Sequence, residues 1–237
     1  MEDIRKLMEE RVALLNRAAR VYYQESNEII SNQEYDKLYD ELARWEEETG
    51  IVLAGSPTAR VGYEVISNLP KEEHPAPMLS LDKTKEPEAL RSWLGDKVGL
   101  LSWKLDGLTI VLTYEDGALT KAVTRGDGII GEVITTNARV FDNIPLTIPY
   151  KGTLVLRGEA VITYADFEKI NETIGDADAR YKNPRNLCAG TVRQLNNQIT
   201  AERHVRFYAF SVAAGMDDAA YRHQQLEQVR ALGFQTV

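Results

Sequence analysis

Residues 108 to 124 constrain the fold of this chain more than any other stretch. Leu108, Ile110, Val111 and Leu112 form an apolar run rich in β-branched residues, Asp116-Gly117 supplies a hairpin turn, and Ala118 to Thr124 leads back. The centre of the chain therefore reads as antiparallel sheet. Directly upstream lies Lys104-Leu105-Asp106-Gly107, preceded by Leu100, Leu101 and Trp103. Val98 to Trp103 reads as a further strand delivering a lysine into a pocket. An ammonium has no lone pair to attack with, and burial or a neighbouring cation is what makes such an amine a nucleophile. A Lys-x-Asp-Gly string alone is weak evidence. The ordered elements behind it raise its weight: Arg125 in Thr124-Arg125-Gly126-Asp127-Gly128, Glu159 in Arg157-Gly158-Glu159, and Asn183-Pro184-Arg185-Asn186 with Arg193 eight residues after Arg185.

The N-terminal part is helical in pattern. Ile4, Leu7, Met8, Val12, Leu15, Ala18 and Tyr22 recur at helical spacing over residues 2 to 24. Ser31 with Glu34 is a capping-box signature, Tyr35, Leu38, Leu42 and Trp45 continue the second helix, and Gly50 stops it. Asn32, Tyr35 and Asp36 share its first turn. From Gly55 to Pro77 five residues, Pro57, Gly62, Pro70, Pro75 and Pro77, break any periodicity, which marks a connector. Beyond it, a brief helix is expected over Glu86 to Leu94, strands over Thr153 to Ile162 and Val205 to Val212, and helices after Thr163, before Leu195 and over Ala219 to Leu232. The chain stops at Phe234-Gln235-Thr236-Val237, where another strand would be starting, as a truncated product would.

Charge and composition exclude several classes. A net charge of -8 argues against the whole chain wrapping nucleic acid, yet Arg180, Lys182, Arg185, Arg193, Arg203 and Arg206 make a basic stretch that one polyanion could meet. No apolar run approaches the length of a membrane span, and the charged N-terminus is unlike a signal peptide, so a cytoplasmic protein with no membrane partner is expected. Cys188 is the sole cysteine, which excludes an internal disulfide and any zinc site built on two cysteines.

Taken together, Lys104-Leu105-Asp106-Gly107, Arg125-Gly126-Asp127-Gly128, Arg157-Gly158-Glu159 and Asn183-Pro184-Arg185-Asn186 with Arg193 resemble the nucleotidyltransferase (adenylation) domain of bacterial NAD-dependent DNA ligases. Tyr22-Tyr23, Glu34-Tyr35-Asp36-Lys37-Leu38, Ser56-Pro57-Thr58 and Pro77-Met78-Leu79-Ser80-Leu81-Asp82 match the same family in the same order. The resemblance implies an α+β fold. A small helical nicotinamide-mononucleotide-binding domain (residues 1–67) would precede a nucleotidyltransferase domain (residues 68–237) of antiparallel sheets flanked by helices, incomplete at its C-terminus.

It also implies roles. Lys104 would attack the α-phosphorus of NAD beside Asp106, forming lysyl-AMP. Arg125 and Glu159 would hold the ribose and phosphate side of the nucleotide. Ser80 and Leu81 would line the adenosine end, with Gly107 and Ser102 also at the cofactor. Tyr22, Tyr23, Asn32, Tyr35 and Asp36 would grip the cationic nicotinamide mononucleotide half. Arg185 and Arg193 would contact DNA phosphates. NAD and a magnesium ion are the implied cofactors, and nicked double-stranded DNA is the implied partner of a full-length, monomeric enzyme.

The chain departs from the family where Ser102 replaces a glutamate, Tyr23 a histidine and Asn32 an aspartate. The family's Asp-Gly-Val-Val-Lys-like motif, a further lysine, and its oligonucleotide-binding, zinc and helix-hairpin-helix parts do not follow Arg193, so this segment is not expected to seal nicks alone. A related ATP- or GTP-using nucleotidyltransferase, and a non-catalytic nucleotide-binding or nick-sensing module, are the other readings.

Overall fold

The computed structural model describes residues 2–25, 29–51, 53, 56–58, 69–78, 82–174 and 180–237. The expected boundary near residue 67 lies outside them. Two hydrophobic cores form, one for each part of the chain.

The first core is made by two helices. Helix α1 (Glu2–Glu25) and α2 (Asn32–Thr49) bury Met8, Val12 and Leu15 against Leu42, with Ile4, Leu38 and Trp45 packed around them. Helix α2 starts and stops where the sequence says. The Ser31 hydroxyl accepts the Glu34 N–H at 3.1 Å, and Gly50 takes a left-handed φ of 67° while its N–H returns to the Glu46 carbonyl. After the helix, Ser56 Oγ donates to Glu46 Oε1 at 2.6 Å and Thr58 Oγ1 donates to Glu46 Oε2, tying Ser56-Pro57-Thr58 to α2. Glu46 is only 8% exposed, and these hydroxyls replace the water it lost.

The second core lies under a sheet. Strands β1 (Lys71–Glu73), β2 (Leu108–Glu115), β3 (Ala118–Thr124), β4 (Ile130–Glu132), β5 (Thr153–Val161) and β6 (Arg206–Ala214) form two sheets: β1 with β4, and four antiparallel strands in the order β3-β2-β5-β6. Helix α3 (Pro87–Leu94) begins with Pro87 at its first position, and α4 (Thr135–Ala138), α5 (Tyr164–Thr173), α6 (Pro184–Val192), α7 (Asn197–Glu202) and α8 (Arg222–Ala231) follow. Positive φ at both Asp116 and Gly117 (47° and 87°) is a type I′ turn, whose twist suits the β2–β3 hairpin.

Alternation along the strands then divides the sheet. Ile110, Leu112, Tyr114, Leu154, Leu156, Ala160, Phe207 and Ala209 point into one core with Leu187 and Val192 of α6 and Val229 of α8. Thr109, Val111, Thr113, Arg157 and Glu159 occupy the alternate positions, which are less covered apart from Glu159.

The expected strand over Val98 to Trp103 does not form. Residues 98–106 carry no regular structure, and Val98, Leu101 and Trp103 are at least four-fifths exposed (101%, 97% and 82%). An apolar segment becomes a strand only where a neighbouring strand is free to hydrogen-bond with it, and both edges of β2, into which this segment leads, are already taken by β3 and β5. Lys104 is consequently exposed rather than set in a pocket.

Tyr114 anchors the core. Its ring meets Phe234 edge-on at 5.6 Å, its hydroxyl donates to the Pro145 carbonyl at 2.6 Å, and burial pushes the phenol above its usual range. Tyr114→Phe leaves that carbonyl unpaired and is expected to cost about 1–3 kcal/mol in urea unfolding.

Candidate active site

The site begins with strand register. In the β2–β5 ladder Thr109 lies opposite Glu159 and Leu108 opposite Ala160. Thr109 Oγ1 donates to Glu159 Oε2 at 2.8 Å, and the Gly107 N–H donates to Oε1 at 3.1 Å. Gly107 is required by this approach, since a Cβ there would lie 2.0 Å from the Ala160 carbonyl oxygen. Glu159 is 8% exposed. Burial pushes its carboxyl up, against the Thr109 hydroxyl, the positive charges of Lys104 and Arg185, and the Gly107 amide, which all favour the anion.

Helix α6 brings the next group. Asn183 caps it by accepting the Asn186 N–H at 2.8 Å, Pro184 fills the first position, and Arg185 follows in the first turn. Arg185 Nη1 donates to Asp106 Oδ1 at 2.9 Å. Lys104, Asp106, Gly107, Glu159 and Arg185 thus share one neighbourhood. At the other end of α6, Arg193 Nε donates to Glu132 Oε2 at 2.6 Å, and Glu132 is 2% exposed.

Arg125 joins through the same strand. Its N–H donates to the Thr109 carbonyl at 2.9 Å, and its Nε donates to the Met78 carbonyl at 3.3 Å. The loop after it is closed by Asp127 Oδ1, which accepts the Ile129 and Ile130 N–H groups at 2.8 and 2.7 Å. Gly126 permits this closure with a φ of +58°, and a Cβ there would lie 1.8 Å from the Ile130 carbonyl oxygen.

Other expected site residues stand apart. Ser102 lines a cavity of about 130 Å³ with Leu100, Leu101, His223, Leu226 and Val237, against α8. Tyr35 packs on the helical core and stacks on Tyr39 at 6.4 Å. Asp36 receives Lys83 Nζ at 3.4 Å, with Asp40 at 3.8 Å and the Tyr39 ring 5.6 Å away. Tyr22 and Tyr23 belong to α1 and Asn32 to α2, but their side chains lie outside the described residues, as do Ser80 and Leu81 entirely. Sequence reasoning missed Thr109, Glu132 and Lys83. No local signal marks Thr109, since Thr113 stands on the same face of the same strand. Among the described residues no three His, Cys, Asp or Glu side chains come together as metal ligands. The described residues therefore offer no preformed cage for magnesium.

The arrangement presents an amine (Lys104), two carboxylates (Asp106 and Glu159) and two guanidiniums (Arg125 and Arg185), charges suited to holding a ribose phosphate beside a nucleophile. Residues 66–237 match the family model of the NAD-dependent DNA ligase adenylation domain. The chain belongs to this family. Residues 1–62 match the DNA ligase-like, N-terminal NAD+-binding domain. The chain is 65% identical over 227 residues to a DNA ligase of Lachnoclostridium phytofermentans, which covers 94% of this chain and 35% of the relative. It is 60% identical over 239 residues to a DNA ligase of Ruminiclostridium cellulolyticum, covering 100% and 36%. A DNA ligase of Sulfurovum sp. is 37% identical over 234 residues, covering 95% and 36%. The chain thus spans about a third of the length of these ligases, as their coverage of 35–36% states. Among the described residues no helix is long and apolar enough to cross a membrane.

Three expectations follow. Arg193→Ala strands a buried carboxylate and should cost about 3–5 kcal/mol in urea unfolding. Arg185→Ala breaks a more exposed pair and should stay within about 1 kcal/mol. The Glu159 carboxyl is held above its unfolded value, so its penalty is absent where both states are protonated and grows as pH rises through the carboxylate range. The stability of the wild type relative to Glu159→Gln should therefore fall as pH rises above the ordinary carboxylate value of about 4, in denaturation measured across the carboxylate range and above it.

Proposed function

We propose that this chain is the adenylating portion of an NAD-dependent DNA ligase, divided near residue 67 into nicotinamide-mononucleotide-binding and nucleotidyltransferase parts. Lys104 Nζ attacks the α-phosphorus of NAD. A P–N bond to AMP forms, the pyrophosphate P–O bond breaks, nicotinamide mononucleotide leaves, and the amine proton passes to solvent. Asp106 stands beside the amine, Glu159 and Arg125 hold the ribose and phosphate side, and Ser80, Leu81, Ser102 and Gly107 complete the AMP side. Tyr22, Tyr23, Asn32, Tyr35 and Asp36 take the nicotinamide half. In the full-length enzyme, working in the cytoplasm in DNA replication and repair, the AMP passes to the 5′-phosphate of a nick. Arg185 and Arg193 meet DNA phosphates there, and the 3′-hydroxyl then displaces AMP.

The observation that carries this reading is the convergence of Asp106, Gly107, Glu159 and Arg185 around the approach to Lys104, with Arg185 and Lys104 both favouring the Glu159 anion. The exposure of Lys104 favours a second reading, a nucleotide-binding module without turnover.

Intact-mass spectrometry separates them. After incubation with NAD and magnesium, a gain of one AMP that is absent in Lys104→Ala and reversed by excess nicotinamide mononucleotide is expected. A gain with ATP instead of NAD would assign the chain to the ATP-using nucleotidyltransferases. NAD binding with no gain in mass would leave the non-catalytic module.

A further inference from the structure

His74 lies just after β1 and is half-buried. Its ring Nε2 lies 3.1 Å from the Thr124 carbonyl oxygen and 3.1 Å from the Arg125 carbonyl oxygen. Carbonyl oxygens only accept, so Nε2 must carry the proton and share it between them. The His74 N–H meanwhile donates to the Ile129 carbonyl at 2.7 Å. One residue therefore grips the glycine loop where the chain enters it, at Thr124 and Arg125, and where it leaves, at Ile129. Four residues later the Met78 N–H donates to the Gly128 carbonyl at 2.7 Å, and the Met78 carbonyl accepts Arg125 Nε at 3.3 Å. Residues 74–78 lie across the loop as a strap.

The loop requires such a strap. Gly126 and Gly128 both hold positive φ, 58° and 91°, a conformation with high entropic cost to fix. Its internal bonds are few: the Asp127 side chain on two amides, Gly128 N–H on the Arg125 carbonyl at 3.0 Å, and Asp127 N–H on the Ile130 carbonyl at 3.3 Å. The Arg125 carbonyl is thus shared by Gly128 N–H and the His74 ring, while the Arg125 N–H is held by the Thr109 carbonyl, so β2 fixes one side of this peptide and His74 the other.

We infer that His74 is a positioning residue for the nucleotide site, whose ring N–H fixes the backbone of Arg125 and so aims its guanidinium. The inference rests on the reading of Arg125 as a nucleotide contact. Glutamine is the conservative replacement, since its amide NH₂ offers a hydrogen to each carbonyl, whereas leucine keeps bulk and offers none.

The test compares wild type, His74→Leu, His74→Gln and Arg125→Ala by amide hydrogen exchange and by calorimetric titration with NAD. In His74→Leu, amides of residues 126–130 should exchange about tenfold faster while those of β2 and β5 are unchanged. NAD affinity should fall about tenfold, as in Arg125→Ala, and His74→Gln should restore both. Unchanged loop exchange in His74→Leu would overturn the inference. So would acceleration shared equally by β2 and β5, which marks a role in overall stability alone. A loosened loop with unaltered NAD affinity, where Arg125→Ala loses affinity, would overturn it too. Unaltered affinity in Arg125→Ala would instead remove Arg125 from the nucleotide site, leaving loop exchange to decide whether His74 anchors the loop.

Discussion

The site depends on the register between β2 and β5. Because side chains alternate along a strand, slipping β2 by one residue against β5 would turn Thr109 to the core and Ile110 and Leu112 to solvent. The hydrophobic core therefore selects the register, and the register delivers Thr109 opposite Glu159. Once there, the carboxylate collects the Gly107 amide, and the chain before β2 is held with Asp106 in reach of Arg185. The packing that stabilises the sheet and the polar contacts that build the site are set by one choice.

The charges follow a similar economy. The chain is acidic overall, at -8, yet its neighbourhood around Glu159 is cationic, with Lys104 and Arg185 both acting on that carboxylate. The two arginines flanking α6 play different physical parts. Arg185 answers a solvated aspartate and can exchange partners at little cost, while Arg193 neutralises the buried Glu132 and is held by the penalty of leaving that charge alone.

Much of this was legible in the sequence. Helical spacing, Ser31 and Gly50 located α2, and the Asp116-Gly117 turn located the β2–β3 hairpin, because caps and turns are local chemistry. The period-two placement of Arg157 and Glu159 on one face was legible for the same reason. The expected Val98 to Trp103 strand does not form because a strand is a property of two segments, and apolar content says nothing about whether a partner is free. His74 and Thr109 escaped notice for a related reason. Their partners are 50 residues away in each case, and a histidine among prolines or a threonine in a strand carries no local sign of them.

The contact at Gly107 also has a meaning for mutational history. With the Ala160 carbonyl oxygen 2.0 Å from where a Cβ would stand, every single-codon change at this position lengthens the distance between two backbones that the Glu159 contact needs close. The Asp106–Arg185 contact joins two side chains, and as an ion pair alone it could be rebuilt by changing both. Gly107 has no such companion, because no second substitution removes a main-chain oxygen, and so its route through sequence space is closed on every side.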